Sequence, residues 1–208
     1  MNGQPQALVS QRVHLALALL TGLLYFLAFP GVDCWPLAFV AFVPWMVGLV
    51  GRSPGEAAFG GWLIGMVVHF TGFYWLVGML ETFSGFPLPL CVLFMAILSA
   101  YQGSCFAVLG WLVAKVRSKG WPFAVAFVLA FAAAETAFPY LFPFRFGTSV
   151  HEATALVQVA ELGGATLVGL VLLAPNYLLA LLVGAWLKAR REGTPRGPGA
   201  LLGEVGAR

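Results

Sequence analysis

Few side chains of this chain could take part in chemistry, and the most conspicuous are an acid and a base. Glu135 stands near the end of the apolar run VLAFAAAETAFPY, and Arg145 follows in the segment FPYLFPFRFGTSVHE. A carboxylate near hydrocarbon costs about 2.5 to 3.5 kcal/mol on insertion scales unless it is paired, protonated or hydrated. Arg145 is therefore the candidate partner of Glu135. The residues themselves leave a structural Glu–Arg pair and a lipid head-group site equally open.

A histidine continues a stripe of small residues. Ala57, Gly61 and Gly65 recur every four positions, and His69 follows at the same interval. Small residues at this spacing allow two helices in a membrane to approach closely. The pattern favours a helix–helix contact with one hydrogen-bonded histidine over a proton-handling or ligand-binding role.

The three cysteines do not form a recognisable site. Cys34, Cys91 and Cys105 show no CxxC or Cys/His metal spacing, and their odd number excludes a complete disulfide framework. We expect Cys91 and Cys105 to be inert packing residues and Cys34 to be exposed at the outer face. No phosphate loop, zinc motif or GxSxG elbow occurs. The sequence therefore predicts no catalytic residue, metal, cofactor or nucleic-acid partner.

The composition indicates that these side chains are positioned by helices in lipid. Of the 208 residues, 61% are hydrophobic and only 9% are charged, against about 25% charged in a typical soluble domain. Apolar runs long enough for helices predict an all-α, polytopic transmembrane bundle of about six helices. The predicted helices cover residues 13–29, 36–50, 57–80, 88–114, 121–137 and 164–187.

Two connecting segments have their own patterns. The sequence PGVDCWP, residues 30–36, combines two helix breakers with Gly31 and Asp33, which predicts a tight turn between the first two helices. After the fifth helix, polar residues recur at helical spacing, which predicts an amphipathic surface helix or the polar start of the last span. These polar residues are His151, Thr154, Gln158 and Glu161.

The basic residues predict the orientation. With six spans and an internal N-terminus, ten of the eleven Lys and Arg residues fall in cytoplasmic segments, and only Arg145 lies outside. We therefore expect residues 1–12 and a basic, Gly/Pro-rich tail at 189–208 to be cytoplasmic, with the membrane domain at 13–188. No small-x-small cleavage site follows the first helix, so we expect that helix to be retained.

The order of several segments resembles the N-terminal membrane domain of apolipoprotein N-acyltransferases. The resemblance covers residues 13–188, nearly all of the chain. The segments that carry it are LAFPGVDCWPLAFVAFVPW, EAAFGGWLIGMVVHFTGFYWL, ETFSGFPLPLCVLFMAILSAYQG, AAAETAFPYLFPFRFGTS and LVQVAELGGATLVGLVL. One departure is Phe138, which stands where the family has an arginine; we expect Arg145 to replace that arginine electrostatically.

The resemblance implies a role in lipoprotein maturation at the bacterial inner membrane. In that family a periplasmic nitrilase-like domain uses a Glu-Lys-Cys triad, takes an acyl chain from a phospholipid as a thioester, and passes it to the N-terminal amine of an apolipoprotein. Here the last apolar run is followed instead by KARREGTPRGPGALLGEVGAR. We therefore expect a truncated or split enzyme, inactive by itself, that needs a separate nitrilase-like polypeptide. None of its cysteines inherits the catalytic role.

The membrane part would then anchor the catalytic domain and give acyl chains a lateral entry between helices. Membrane phospholipid is the expected ligand, and aromatic residues at head-group depth suit such a site. The candidate contacts are Glu135, Arg145, His69, Tyr74 and Trp75, with Trp35, Phe83 and Phe86 as further interfacial aromatics.

Two other functions fit the same composition. One is a small six-helix solute-binding or transport subunit, which would place His69 and Glu135 face to face in a polar pocket. The other is a degenerate remnant without activity.

The charge distribution makes a testable prediction about topology. Tags fused before Met1 and after Arg208 should both resist a protease added outside spheroplasts, because both ends are predicted to be cytoplasmic. A tag inserted beside Phe83, in a predicted outer loop, should be cleaved and serves as the control. Cleavage of the tag after Arg208 with the tag before Met1 intact would exclude an even number of crossings.

Overall fold

The protein is a bundle of helices, as predicted. The computed structural model describes residues 7–193, and none of these residues forms a strand. The described residues form eight α-helices: α1 (Gln11–Ala28), α2 (Val43–Leu49), α3 (Pro54–Gly72), α4 (Trp75–Ser84), α5 (Leu88–Arg117), α6 (Phe123–Ala137), α7 (Thr154–Val157) and α8 (Ala160–Arg191). Two 3₁₀ helices lie at Trp35–Phe39 and Phe146–Val150.

Three of these helices are long and apolar enough to cross a membrane: α1, α5 and α8. A fourth span results if the bent pair α3 and α4 is counted as one. The segments Trp35–Leu49 and Phe123–Ala137 are apolar but shorter, and the 15 residues of α6 rise only about 22 Å against about 30 Å of hydrocarbon. The membrane bundle is therefore confirmed, whereas the number six stays a prediction.

Two predicted helices are not continuous. The run 36–50 consists of a 3₁₀ helix followed by the seven-residue α2, because Pro36 and Pro44 restart the backbone within it. The run 57–80 ends as a straight helix at Gly72 and continues as α4 after a bend of 57°. Because the sequence contains no proline at this bend, the sequence predicted one continuous helix here.

The predicted turn at residues 30–36 is confirmed. Gly31 and Asp33 both adopt positive φ angles, 104° and 62°, and the Asp33 carboxylate accepts a hydrogen bond of 3.1 Å from the Gly31 amide. Pro36 then lies in the first turn of the 3₁₀ helix. The breakers therefore reverse the chain through local geometry, as their residue types require.

The small-residue stripe on α3 packs against α5, which is the most extensive helix contact of the bundle. A Cβ atom added to Gly65 would lie 2.7 Å from the Gly103 carbonyl carbon, and one added to Gly61 would lie 2.6 Å from that of Phe106. Both distances are far below van der Waals contact. The two backbones therefore touch directly, as the spacing of small residues predicted.

Buried amide side chains hold the irregular segments against the long helices. Asn176 of α8 accepts a hydrogen bond from the Phe42 amide and donates one to the Ala38 carbonyl, both 2.8 Å. Gln102 of α5 accepts from the Leu141 and Phe142 amides at 2.8 and 2.9 Å. Main-chain groups in hydrocarbon require partners within the protein, and these two side chains provide them where no helix does.

The ends of the bundle differ in charge. At one end Arg52, 9% exposed, donates hydrogen bonds to the Val9 and Ser10 carbonyls at the start of α1, and Arg191 reaches the Ala7 carbonyl. At the other end His151 Nε2 lies 3.6 Å from Asp33 Oδ1. Segments that the predicted topology places on the same side of the membrane are therefore neighbours in the structure. Which end faces the cytoplasm stays a prediction.

The contact between α3 and α5 can be tested by filling it. Gly65→Val should destabilise the protein by at least about 2 kcal/mol, since the new side chain would have to push two backbones apart. Chemical denaturation in detergent micelles measures the free energy of unfolding. Gly78→Val is the matched control, because a Cβ there meets no atom within 4 Å and the change should stay within about 0.5 kcal/mol. Equal losses in both variants would contradict the close contact.

Candidate functional site

Glu135 supports the loop that follows its own helix. The side chain lies in the last turn of α6, is 6% exposed, and its Oε1 atom accepts a 2.8 Å hydrogen bond from the Phe146 amide. That amide begins the 3₁₀ helix Phe146–Val150. The carboxylate is therefore directed inward to an irregular main-chain segment, and its Oε2 atom is buried without a protein hydrogen-bond partner.

Arg145 does bind Glu135, but at a different atom from the one expected. Its Nη1 atom donates to the Glu135 main-chain carbonyl at 2.6 Å and to the Thr166 hydroxyl at 3.0 Å. Within residues 7–193 the two side chains form no salt bridge. The expected pair of charges is thus replaced by a contact in which the guanidinium covers the open end of α6, where carbonyls lack helical partners.

A wide cleft lies beside Arg145 where α8 is broken. Gly163 and Gly164 have non-helical angles, with Gly164 at φ 67° and ψ −171°, so the first turn of α8 is separated from the straight segment that follows. The cleft has a volume of about 570 Å³. Its lining residues are Thr136, Arg145, Leu162, Gly163, Gly164, Ala165, Thr166, Leu167 and Leu170. The predicted start of the last helix at 164 coincides with this break.

His69 is buried and hydrogen-bonded, in agreement with the more conservative interpretation of the sequence. Its Nδ1 atom donates to the Gly65 carbonyl at 2.8 Å. The rings of Phe73, Phe106 and Phe144 surround it, with centroids 5.0 to 6.2 Å away. No described hydrogen bond joins His69 to Glu135. The space around the imidazole is filled by aromatic carbon rather than by a polar pocket.

The two aromatic candidates lie at the bend after α3. Tyr74 is 72% exposed and Trp75 is 44% exposed. The Trp75 ring packs edge-on against Phe142 at 5.8 Å, which connects the start of α4 to the loop that carries Arg145. Their positions suit rings at the membrane interface.

The polar segment after the fifth helix is less regular than predicted. Only Thr154–Val157 is helical before α8 begins at Ala160, and His151, Gln158 and Glu161 are exposed in turns or at the helix start. A continuous amphipathic helix over these residues is therefore a wrong prediction, because turns at 151–152 and 158–159 interrupt it. Glu161 lies in the first turn of α8, in agreement with the alternative of a polar start of the last span.

An exposed cluster at this end has metal-ligand chemistry that sequence spacing did not reveal. Donor atoms of Asp33, His151 and Glu152 lie within 4.8 Å of one another. The residues are 119 positions apart along the chain at their widest separation, 33 to 152. In the structure they link the turn after α1 to the segment before α7, through an ion pair when His151 is protonated.

The cysteines are placed as expected. Cys34 is exposed, while Cys91 and Cys105 are buried. The Tyr140 hydroxyl donates to Cys105 Sγ at 2.7 Å, a contact that again ties the loop after α6 to α5. Residues that sequence reasoning missed are Gln102, Asn176 and Thr166, and their signal was a polar side chain inside an apolar run.

These features define a polytopic helical membrane protein in which the two longest irregular segments, 29–42 and 138–153, lie together at one end of the bundle. Residues 21–178 match the apolipoprotein N-acyltransferase N-terminal domain, and the chain belongs to that family. The resemblance seen in the sequence is thereby confirmed.

A curated relative is the apolipoprotein N-acyltransferase of Geobacter metallireducens (strain ATCC 53774 / DSM 7210 / GS-15). It is 25% identical over 183 residues, which cover 86% of this chain and 35% of that protein. The chain therefore spans about a third of the length of the relative that it matches.

Two substitutions of Glu135 separate its hydrogen bond to the Phe146 amide from its negative charge. Glu135→Leu should cost about 1 to 3 kcal/mol of unfolding free energy, because the buried Phe146 amide loses its acceptor. Glu135→Gln keeps a carbonyl oxygen at that position and should lose less than half as much. Denaturation in micelles measures both, with Glu161→Leu and Glu161→Gln as exposed controls.

The comparison of the two Glu135 variants decides the interpretation. If Glu135→Gln lowers the unfolding free energy as much as Glu135→Leu, the negative charge itself stabilises the fold and the hydrogen bond to Phe146 does not. If neither variant differs from the Glu161 controls, the acceptor contributes nothing.

Proposed function

We propose that this chain is the membrane part of an apolipoprotein N-acyltransferase in the bacterial inner membrane, and that its outer end holds a nitrilase-like catalytic domain beside the bilayer. The family match supports a membrane domain related to lipoprotein maturation. The phospholipid acyl donor, the apolipoprotein acceptor and the catalytic partner belong to the proposal.

The observation that supports the proposal is the way irregular segments are held in place at the predicted outer end of the bundle. The segments around residues 29–42 and 138–150 are irregular, yet Asn176, Gln102 and Glu135 bind their main-chain groups. The 3₁₀ helices Trp35–Phe39 and Phe146–Val150 also contact each other. Irregular segments that are tied to long helices and to each other form a rigid surface, which suits the docking of a second domain.

The described residues do not supply an acyl-transfer triad themselves. Thioester chemistry needs a cysteine thiolate with a base and a cation nearby. Every lysine in the described part lies at the basic end of the bundle: Lys115, Lys119 and Lys188. Cys34 lies at the opposite end, in the outer turn. We therefore assign the catalytic groups to a nitrilase-like domain, either joined to this one or separate.

The alternative of a solute-binding or transport subunit is less well supported. It requires a polar pocket between His69 and Glu135, but aromatic rings pack against the imidazole on several sides, and Glu135 is engaged with the Phe146 amide. Among the described residues, these contacts therefore do not form an enclosed polar pocket for a soluble solute.

A reconstitution experiment tests the proposal. In a bacterium depleted of its own apolipoprotein N-acyltransferase, we would express this chain, a periplasmic nitrilase-like domain, or both. Mass spectrometry of a lipoprotein N-terminal peptide reports the gain of one amide-linked acyl chain. We expect that gain only when both polypeptides are present.

The single expressions distinguish the ways in which the proposal fails. Acylation by this chain alone would contradict the assignment of the catalytic groups to another domain. Acylation by the nitrilase-like domain alone, at the level seen with both, would show that the bundle contributes nothing to the reaction.

A further inference from the structure

An imidazole and two carboxylates meet at the end of the bundle that carries the irregular segments. Asp33 lies in the segment after α1, and His151 and Glu152 follow the 3₁₀ helix Phe146–Val150. One donor atom from each of the three residues lies within 4.8 Å of the other two, and His151 Nε2 is 3.6 Å from Asp33 Oδ1. All three residues are exposed, so an ion from solution can reach them.

The distances between these donor atoms suit a small transition-metal ion. Zn²⁺ binds histidine nitrogen and carboxylate oxygen at about 2.0 to 2.2 Å in a tetrahedral arrangement, which places two ligand atoms about 3.3 Å apart. The separation of 3.6 Å between His151 Nε2 and Asp33 Oδ1 is close to that value. The remaining separations, which stay within 4.8 Å, close through small rotations of exposed side chains.

The types of donor favour zinc over magnesium and calcium. Magnesium and calcium take oxygen ligands, whereas imidazole suits zinc, copper and nickel. Zinc sites that combine histidine and carboxylate ligands often have three protein donors, with water in the fourth position. The imidazole of His151 therefore gives this cluster a different chemistry from that of an exposed group of carboxylates.

Both segments that carry the donors are anchored in the protein. The Asp33 amide donates to the Phe29 carbonyl at 3.1 Å, and the Asp33 carboxylate accepts from the Gly31 amide, also at 3.1 Å. In the other segment Val150, which is completely buried, immediately precedes His151. Ligands on anchored segments lose less conformational freedom when they bind an ion. The main chain of the cluster is therefore pre-organised, while its side chains are accessible.

The two carboxylates have no basic partner other than the histidine in the described part of the chain. Neither Asp33 nor Glu152 forms an ion pair there with a lysine or an arginine. Arg145, the basic residue nearest to this cluster in the sequence, donates instead to Thr166 and to a main-chain carbonyl of α6. A divalent cation at the cluster would therefore meet two carboxylate charges that no lysine or arginine neutralises.

We propose that Asp33, His151 and Glu152 bind one Zn²⁺ ion, which joins the segment after α1 to the segment before α7. Three metal–ligand bonds would hold these two irregular segments together more firmly than one ion pair does. The sequence predicted no metal, because the donors come from distant parts of the chain and have no metal-ligand spacing. Zinc binding requires no acyl transfer, so it can fail while the proposed function holds, and the reverse.

Zinc titration of the full chain in detergent micelles, purified through a tag that contains no histidine, tests the site. Isothermal titration calorimetry measures the number of bound ions and their affinity. We expect one Zn²⁺ per chain and a temperature of unfolding that rises with the zinc concentration. Magnesium at the same concentrations should have neither effect. No binding of zinc, or an equal stabilisation by magnesium, would overturn the proposal.

Single substitutions locate the ion. His151→Ala and Glu152→Gln should each weaken zinc binding at least about tenfold, since even groups that only support a metal ligand contribute that much. Asp33→Asn should also weaken it about tenfold, although asparagine keeps an acceptor for the Gly31 amide and tolerates the left-handed backbone. Glu161→Gln, an exposed carboxylate of α8 outside the cluster, is the control and should change the affinity less than twofold. Unchanged affinity in His151→Ala or Asp33→Asn would place the ion elsewhere.

The exposed thiol of Cys34 is the competing ligand, because it directly follows Asp33 and zinc also binds thiolates. Cys34→Ser should leave the affinity for zinc within twofold of that of the unmodified chain. Loss of binding in Cys34→Ser, together with full binding in His151→Ala, would assign the ion to the thiol and contradict the proposal.

Discussion

The structure depends on one constraint: in lipid, a main-chain group outside a helix must find its partner within the protein. Among the described residues, the two longest segments outside α-helices follow α1 and α6, at 29–42 and 138–153. Asn176 satisfies groups of the first irregular segment, and Gln102 and Glu135 satisfy groups of the second. Each of these side chains projects from a helix, and each is buried. Glu135, a candidate for function in the sequence, and Gln102 and Asn176, which sequence reasoning missed, therefore support the irregular segments at this end of the bundle.

Close packing of the central helices makes such supports effective. Because α3 and α5 touch through glycine backbones, the helix that carries Gln102 is held rigidly against the helix that carries His69. Aromatic rings fill the space next to this contact, and the Tyr25 ring alone packs against five phenylalanine rings. The closely packed centre, together with the side chains that bind main-chain groups of the irregular segments, holds this end of the bundle in place.

The acid–base pair shows how much a single contact depends on tertiary structure. The spacing of Glu135 and Arg145 correctly indicated that they meet. It could not indicate that Glu135 turns inward to the Phe146 amide while Arg145 covers the Glu135 carbonyl and reaches Thr166. The guanidinium therefore covers the end of α6, and no carboxylate of the described residues forms a salt bridge with it.

The sequence by itself determined that the protein lies in lipid and is helical. It also determined the turn at Gly31 and Asp33 and the small-residue face of α3. These follow from composition, local backbone preferences and the period of the helix, all of which act over a few residues. The tertiary structure decided the 57° bend after Gly72 and the partners of Arg145. Those features arise from contacts between residues far apart in the chain, and no local pattern encodes which distant group a side chain will meet.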